Sequence, residues 1–393
     1  MRETIKRIAS NEFIKNYVKV FSVDVLVKGA GIILLPLYLR LMTQEEFGLY
    51  GYLVAIISTF SLIFNLGIYV AQSKLYHDYP DTKRGEVIFT LNAILLAFMI
   101  LSLILVFLLG LDYPVVRFLV KSPLNYEQYR VAVLLGIVVA VYSVMLTNFF
   151  LTSEDLRKVQ LFNISRILVI NSVVLAALYF GMNSDHAFVR LQYSNVVEFS
   201  LIVIFSFFYL RRMTFHFDSA VAKRAIKIAF PVLGSAIIGI FINLSDRYFI
   251  EKYGTLRDLS IYNVALTFSG IIPFIFASFQ NVWLPQFLKE RDYKANHVRS
   301  RKMIFRLSII FMVISVAIFV ALKAMLVLNI INHKYDEIIP LLPIVLVTGI
   351  VASITPMFSN HLIYLDNHIM LSILLFFLWL IVKQMQFFMI CVL

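Results

Sequence analysis

The chain has 393 residues, of which 61% are hydrophobic and only 15% charged. A soluble domain carries roughly 25% charged residues, and a mean hydropathy of +0.86 excludes a water-facing globule. The net charge of +12 falls largely in alternate loops, which reads as membrane topology and not as nucleic-acid binding.

Long uninterrupted apolar runs exclude a transmembrane barrel, whose strands would alternate. A spanning helix needs roughly 20 mostly apolar residues. The predicted class is an all-α, polytopic transmembrane helical bundle of about eleven spans. Residues 1–15 are polar and basic. The apolar run that follows is interrupted by Lys19, Asp24 and Lys28 and lacks a small-residue cleavage site, so no cleaved signal peptide is expected.

The first span is predicted over 17–41. Asp24 and Lys28 lie one turn apart in it and face one side. Two readings are open: a neutralised pair that fixes packing, or a cationic cavity wall that attracts an anionic head group. Lys19 is placed to snorkel to the interface. Glu45 and Glu46 in the following loop suit a helix start. Spans two to four are predicted over 49–71, 86–111 and 130–151. Span five, 160–181, carries Arg166, set either to snorkel or to meet an acidic partner. Span six, 187–210, carries Gln192, Asn195 and Glu198 at helical spacing. Glu198, close to mid-span, is either a hydrogen-bonded structural carboxylate or a group suited to proton coupling.

The loop from Arg211 to Lys227 divides the chain into an N-terminal six-helix bundle, 1–215, and a C-terminal bundle of about five helices, 216–393. Span seven, 226–250, ends in Asn243, Asp246 and Arg247, which suit gate or outer-end contacts. Span eight, 259–287, holds Trp283, read with most tyrosines as an interfacial anchor and not as a sugar-stacking platform. Spans nine to eleven are predicted over 303–328, 337–363 and 369–390. His361 in span ten reads as a polar packing contact.

Basic residues concentrate in the N-terminal tail and the even-numbered loops. Loop six has Arg211, Arg212, Lys223, Arg224 and Lys227, and loop eight has Lys289, Arg291, Lys294, Arg299, Arg301 and Lys302. The odd-numbered loops carry fewer. The N-terminus is therefore expected in the cytoplasm.

The halves resemble each other. Arg40, Thr43, Glu46 and Tyr50 line up at a constant shift with Lys252, Thr255, Asp258 and Tyr262. Six helices intervene, so both copies cross in the same direction, a parallel repeat that argues for a transporter. Prolines in the spans, among them Pro36, Pro231, Pro343 and Pro356, remove backbone donors. They serve gating kinks or reflect the general abundance of proline in membrane helices.

No phosphate-binding glycine loop or Gly-x-Ser-x-Gly elbow occurs, and the seven histidines lack metal-ligand spacing. Neither a catalytic residue nor a metal site is expected. The lone cysteine, Cys391, excludes a disulfide framework.

Leu35-Pro-Leu-Tyr-Leu-Arg-Leu-Met-Thr-Gln-Glu-Glu-Phe-Gly-Leu-Tyr50 resembles the first-helix signature of bacterial polysaccharide flippases. These are the O-antigen and exopolysaccharide exporters of the multidrug/oligosaccharidyl-lipid/polysaccharide superfamily. Ala229–Ser235, Asp246–Ile250 and Tyr262–Ala265 look like that family's second-half signature, and Phe279–Pro285 looks like the end of its eighth helix. The resemblance covers roughly residues 10–365. It implies transport of an undecaprenyl-diphosphate-linked oligosaccharide across the bacterial cytoplasmic membrane, around a cationic cavity to which Lys28 contributes. Besides the lipid-linked substrate and membrane lipids, the partners it implies are a polysaccharide polymerase and chain-length machinery. It implies no cofactor beyond proton or sodium coupling. The family has at least twelve spans, so a last helix is expected to be missing here. The alternatives are a cation-coupled small-molecule exporter of the same superfamily and, remotely, a membrane glycan polymerase, which would need a large catalytic outer loop.

Overall fold

The computed structural model describes residues 29–121, 124–181, 184–289 and 292–364, within which only helices and connecting turns occur. In chain order these are α1 (Gly29–Leu41), α2 (Gln44–Phe64), α3 (Ile68–Asp78), α4 (Arg84–Leu109), α5 (Asp112–Leu119) and α6 (Tyr126–Thr152). Next come α7 (Leu156–Ser165), a π-helical turn (Arg166–Ile170), α8 (Asn171–Tyr179), α9 (His186–Leu210) and α10 (Ser219–Tyr253). The chain continues through α11 (Leu256–Ser269), α12 (Ile271–Lys289), α13 (Tyr293–Val327) and α14 (Ile338–Tyr364).

Eight helical stretches among the described residues are long and apolar enough to cross a membrane. The 35-residue α10 also exceeds the bilayer's hydrocarbon thickness at 1.5 Å per residue. The predicted eleventh span, 369–390, lies outside the described residues.

One predicted span is interrupted. The apolar run over 49–71 breaks between α2 and α3, where Leu66 and Gly67 both take positive φ, 54° and 70°. A Cβ on Gly67 would also lie 2.7 Å from Val232 Cβ and 2.9 Å from the Ala229 carbonyl oxygen. Glycine is required here twice over, by backbone conformation and by the approach of α10.

Chain contacts divide the molecule into two units. One comprises residues 1–31 and 49–252, and the other 32–48 and 253–393. The first unit has two adjoining cores. Ile68, Leu91, Leu95, Val141, Met145 and Ala225 join α3, α4, α6 and α10. Phe149, Phe150, Phe162, Phe205 and Tyr209 form an aromatic core on α6, α7 and α9. Phe149 meets Tyr209 edge-on at 4.5 Å, and Phe162 meets Phe205 at 5.1 Å. Such pairs add about 0.5–1.5 kcal/mol beyond burial.

In the second unit Trp283 is 4% exposed and stacks on Phe279 at 5.7 Å, with the Arg299 guanidinium over its ring. The interfacial placement read from its type is therefore corrected: its ring fills the core. His361 packs edge-on against Phe287 at 4.9 Å, as a polar packing contact should.

The two copies of the repeat fold alike. The Thr43 amide donates to Glu46 Oε2 (2.7 Å) and the Glu46 amide to Thr43 Oγ1 (3.1 Å). The Thr255 amide donates to Asp258 Oδ2 (2.8 Å) and the Asp258 amide to Thr255 Oγ1 (3.2 Å). Each is a reciprocal capping box that starts a helix, α2 and α11. The two helix starts nearly touch: a Cβ on Gly48 would sit 1.9 Å from the Leu256 carbonyl oxygen. The predicted helix-start role of Glu46 is met by this geometry.

Large apolar side chains lie exposed along α4 (Leu101, Ile104, Leu105, Leu108) and α13 (Phe305, Ile309, Met312, Val316). In water such stripes would aggregate, and in a bilayer they face acyl chains.

At the odd-numbered-loop end, Asp112 accepts from Arg130 Nε (2.6 Å) and from the Tyr126 hydroxyl (3.0 Å). Burial pushes the Asp112 carboxyl up, but the bonds from Arg130 and Tyr126 outweigh this and hold it below the usual carboxylate range.

Two outcomes follow. Gly48→Ala should lower thermal stability in detergent by about 1–3 kcal/mol, the usual cost of overpacking. Gly234→Ala, where a Cβ meets nothing within 4 Å, should be neutral or stabilising. For Asp112, a carboxyl with a depressed folded pKa contributes stability above its unfolded value of about 3.9 that is lost as pH falls through the folded value. Melting curves should therefore drop for the wild type below about pH 4 and be flatter for Asp112→Asn.

Candidate functional site

Polar side chains inside spans are costly, so the ones present show where a cavity or a partner must be. Arg166 and Glu198 are brought together within the first unit. Arg166 Nε lies 3.0 Å from Glu198 Oε1, with the carboxylate side chain 15% exposed and the arginine 37%. By helical rise, Arg166 sits about 15 Å from the start of α7 and Glu198 about 18 Å along α9, both well inside a 30 Å hydrocarbon layer. The acidic-partner reading of Arg166 is thus the observed one.

The local backbone accounts for this meeting. The π-helical turn begins at Arg166, and such turns rotate the side chains that follow them and recur at functional sites. Asn171 Nδ2 donates back to the Ile167 carbonyl oxygen at 2.7 Å, satisfying an acceptor within the turn. Arg166 Nη1 donates to Ser143 Oγ at 3.2 Å, which ties the pair to α6. Asn195, one turn before Glu198, instead donates to the Ala132 carbonyl oxygen at 2.8 Å and locks α9 to α6.

Beside the pair runs a groove of about 350 Å³ along α6 and α7, bordered by Tyr69, Ser143, Thr147, Asn148, Asn163 and Arg166. Asn148 is held by a network: its amide donates to the Tyr69 carbonyl oxygen (2.9 Å) and to Gln72 Oε1 (2.7 Å), and its Oδ1 accepts from Ser73 Oγ (3.0 Å). Gln72 in turn donates to the Tyr209 hydroxyl at 3.2 Å. Sequence reading singled out Arg166 and Glu198 but none of these neighbours. Their signal was available: Asn163 and Arg166, three apart, share a helical face, as do Ser143 and Thr147, four apart.

Of the other predicted positions, Asp246 and Arg247 are not among the residues that line this groove. Asp246 and Arg247 lie half-buried near the end of α10. Asn243 lies in α10 outside the described side chains, and Asp24 and Lys28 lie outside the described residues. Close to Asp246, Glu251 is 2% exposed and accepts from the Lys121 amide at 2.6 Å, a buried carboxylate that hydropathy alone did not flag.

A multi-pass helical bundle with an internal repeat and a polar, charge-bearing groove inside its spans is an architecture that occurs among membrane transporters. Residues 13–291 match the family model described as "Polysaccharide biosynthesis protein", and the chain belongs to that family. No curated protein matches it in sequence. Solved structures share its fold. One is described as the inward-facing conformation of a multidrug resistance MATE family transporter of the MOP superfamily, with TM-score 0.55 and 11% identity over 89% of this chain and 85% of that one. An outward-facing structure of the same description gives TM-score 0.56 and 13% identity over 92% and 84%. A MATE structure in complex with MaD3S gives 0.51 and 12% over 91% and 82%. The chain thus shares the fold of transporters of the multidrug/oligosaccharidyl-lipid/polysaccharide superfamily.

Removing one member of a partly buried ion pair should cost more than removing both, because it strands a charge in the membrane. Arg166→Leu alone is expected to destabilise the protein by about 3 kcal/mol or more, and Arg166→Leu with Glu198→Leu by clearly less. Thermal melts of the two singles and the double in one detergent check this. Additive losses would mean that the pair is not coupled.

Proposed function

We propose that this protein is a transporter that moves an undecaprenyl-diphosphate-linked oligosaccharide from the cytoplasmic to the outer leaflet of a bacterial cytoplasmic membrane. The family match over residues 13–291 carries this reading, because it ties a transporter fold to polysaccharide synthesis. A saccharide built on a lipid carrier in one leaflet and used on the other side must cross, and its head group cannot enter hydrocarbon unaided. The basic even-numbered loops support a cytoplasmic N-terminus. Lys28 supplies positive charge for the diphosphate, Asp24 sets its field, and Asn243, Asp246 and Arg247 serve the outer end. Transport is coupled to a proton or sodium gradient. The product passes to a polysaccharide polymerase and its chain-length machinery.

Deleting the gene should abolish surface polysaccharide and leave the lipid-linked unit in the inner leaflet. Unchanged surface glycan in a strain without a paralogue would sink the proposal. In the complemented strain Lys28→Ala should abolish export and Lys28→Arg should largely preserve it. Equal export by both would remove Lys28 from the site.

The multidrug descriptions of the structural neighbours favour a second reading, a cation-coupled small-molecule exporter. It predicts heightened drug sensitivity on deletion, with normal surface glycan.

A further inference from the structure

The groove beside Arg166 has the chemistry of a binding subsite. Among the described residues, neither the Thr147 hydroxyl nor the Asn163 amide makes a side-chain hydrogen bond, and Arg166 uses Nε and Nη1 but not Nη2. These unused donors and acceptors lie within the spans, on one face of α6 and α7. Left against acyl chains, each would cost several kcal/mol. Water or a polar ligand on this face would meet these groups, unlike on the apolar face of α4. Tyr69, 36% exposed, borders the same groove and offers an aromatic surface next to the amides.

The charge balance narrows the ligand. Arg166 is already paired with Glu198 at 3.0 Å, and the other polar groups lining the groove are neutral. An anion would have to compete with the Glu198 carboxylate for the guanidinium. A neutral ring with several hydroxyls would not: it both donates and accepts, and its apolar face packs on an aromatic side chain. A volume of about 350 Å³ is ample for one such ring.

We propose that Tyr69, Thr147, Asn163 and Arg166 Nη2 form a subsite for an uncharged pyranose of the transported saccharide, separate from any site for the diphosphate. This deepens the flippase reading and rests on it.

The test uses the full chain in lipid nanodiscs. Thr147→Cys, in a Cys391→Ser background, should react with a membrane-impermeant maleimide, whereas Leu105→Cys on the apolar face of α4 should not. An unreactive Thr147→Cys would overturn the access of water to this face. Saturation-transfer NMR with neutral tetrasaccharides of glucose, galactose, mannose and N-acetylhexosamine should show transfer to ring protons for at least one of them. Losing one hydrogen bond or the aromatic surface is worth about 1 kcal/mol, so binding should weaken about five-fold in Thr147→Val, Asn163→Leu and Tyr69→Ala. Thr147→Val is nearly isosteric, so it separates lost binding from lost folding. No transfer from any neutral sugar, or transfer unchanged in all three variants, overturns the subsite. Stronger transfer from the matching uronic-acid tetrasaccharides overturns its neutral character. Saccharide binding that fails while the deletion phenotype holds would refute the subsite alone. Binding that holds while surface glycan survives deletion would refute the flippase reading alone.

Discussion

A polar group in hydrocarbon has no water to bond, and every feature of this molecule answers to that constraint. Several polar side chains inside the spans are tied to a partner. Asn195 bonds the Ala132 carbonyl oxygen, Asn148 sits in a network with Ser73 and Gln72, and Arg166 meets Glu198. With no hydrophobic force to drive helices together in lipid, close packing at small residues takes its place. Gly67 admits α10, and Gly136 lies where a Cβ would come within 2.8 Å of Asn195 Nδ2 and 2.7 Å of Ile57 Cδ1.

The internal repeat extends beyond sequence. Both copies begin a helix with a threonine and an acid three residues on, and both boxes close reciprocally. A further likeness concerns the helix that precedes each box. Lys334 Nζ donates to the Met42 carbonyl oxygen (2.9 Å), just past α1, and Lys121 Nζ donates to the Lys252 carbonyl oxygen (3.1 Å), at the end of α10. A cation on the last carbonyls suits the negative end of a helix dipole. Each lysine comes from the corresponding odd-numbered loop of the other half, loop nine for α1 and loop three for α10. Most of α1 is accordingly grouped with residues 253–393, and α10 with residues 49–252. A division by repeat at 215/216 and a division by contacts thus follow different principles, and they part at the first helix of each half.

Class, helix placement and the repeat were legible because each rests on a periodic or compositional signal that lipid makes strong. Local exceptions were not. The break at Leu66 and Gly67 hides in an apolar run, since a positive φ leaves no trace in hydropathy. Trp283 was misplaced because residue type records an average preference, while its burial under Arg299 depends on packing across helices. Arg166 and Glu198 stood out as charges in apolar runs, but their pairing joins α9 to the π-helical turn, which no linear pattern encodes. Thr147 and Asn163 escaped notice because a single threonine or asparagine in a membrane helix is ordinary. Only their meeting with Arg166 along one groove gives them meaning.

Within the proposed subsite, the pair also sets what the groove is able to do. A lone arginine at this depth would hold any anion tightly and release it slowly, whereas transport needs a ligand to leave as readily as it enters. Pairing with Glu198 cancels the monopole and leaves a directional donor, Nη2, with the geometry of a hydrogen bond and little of the long-range field. The π-helical turn and the Ser143 bond fix that donor's direction, so its orientation need not be established anew with each ligand. In the proposed subsite, an arginine held in this way contributes selectivity at low affinity cost, as a ligand that must be released requires.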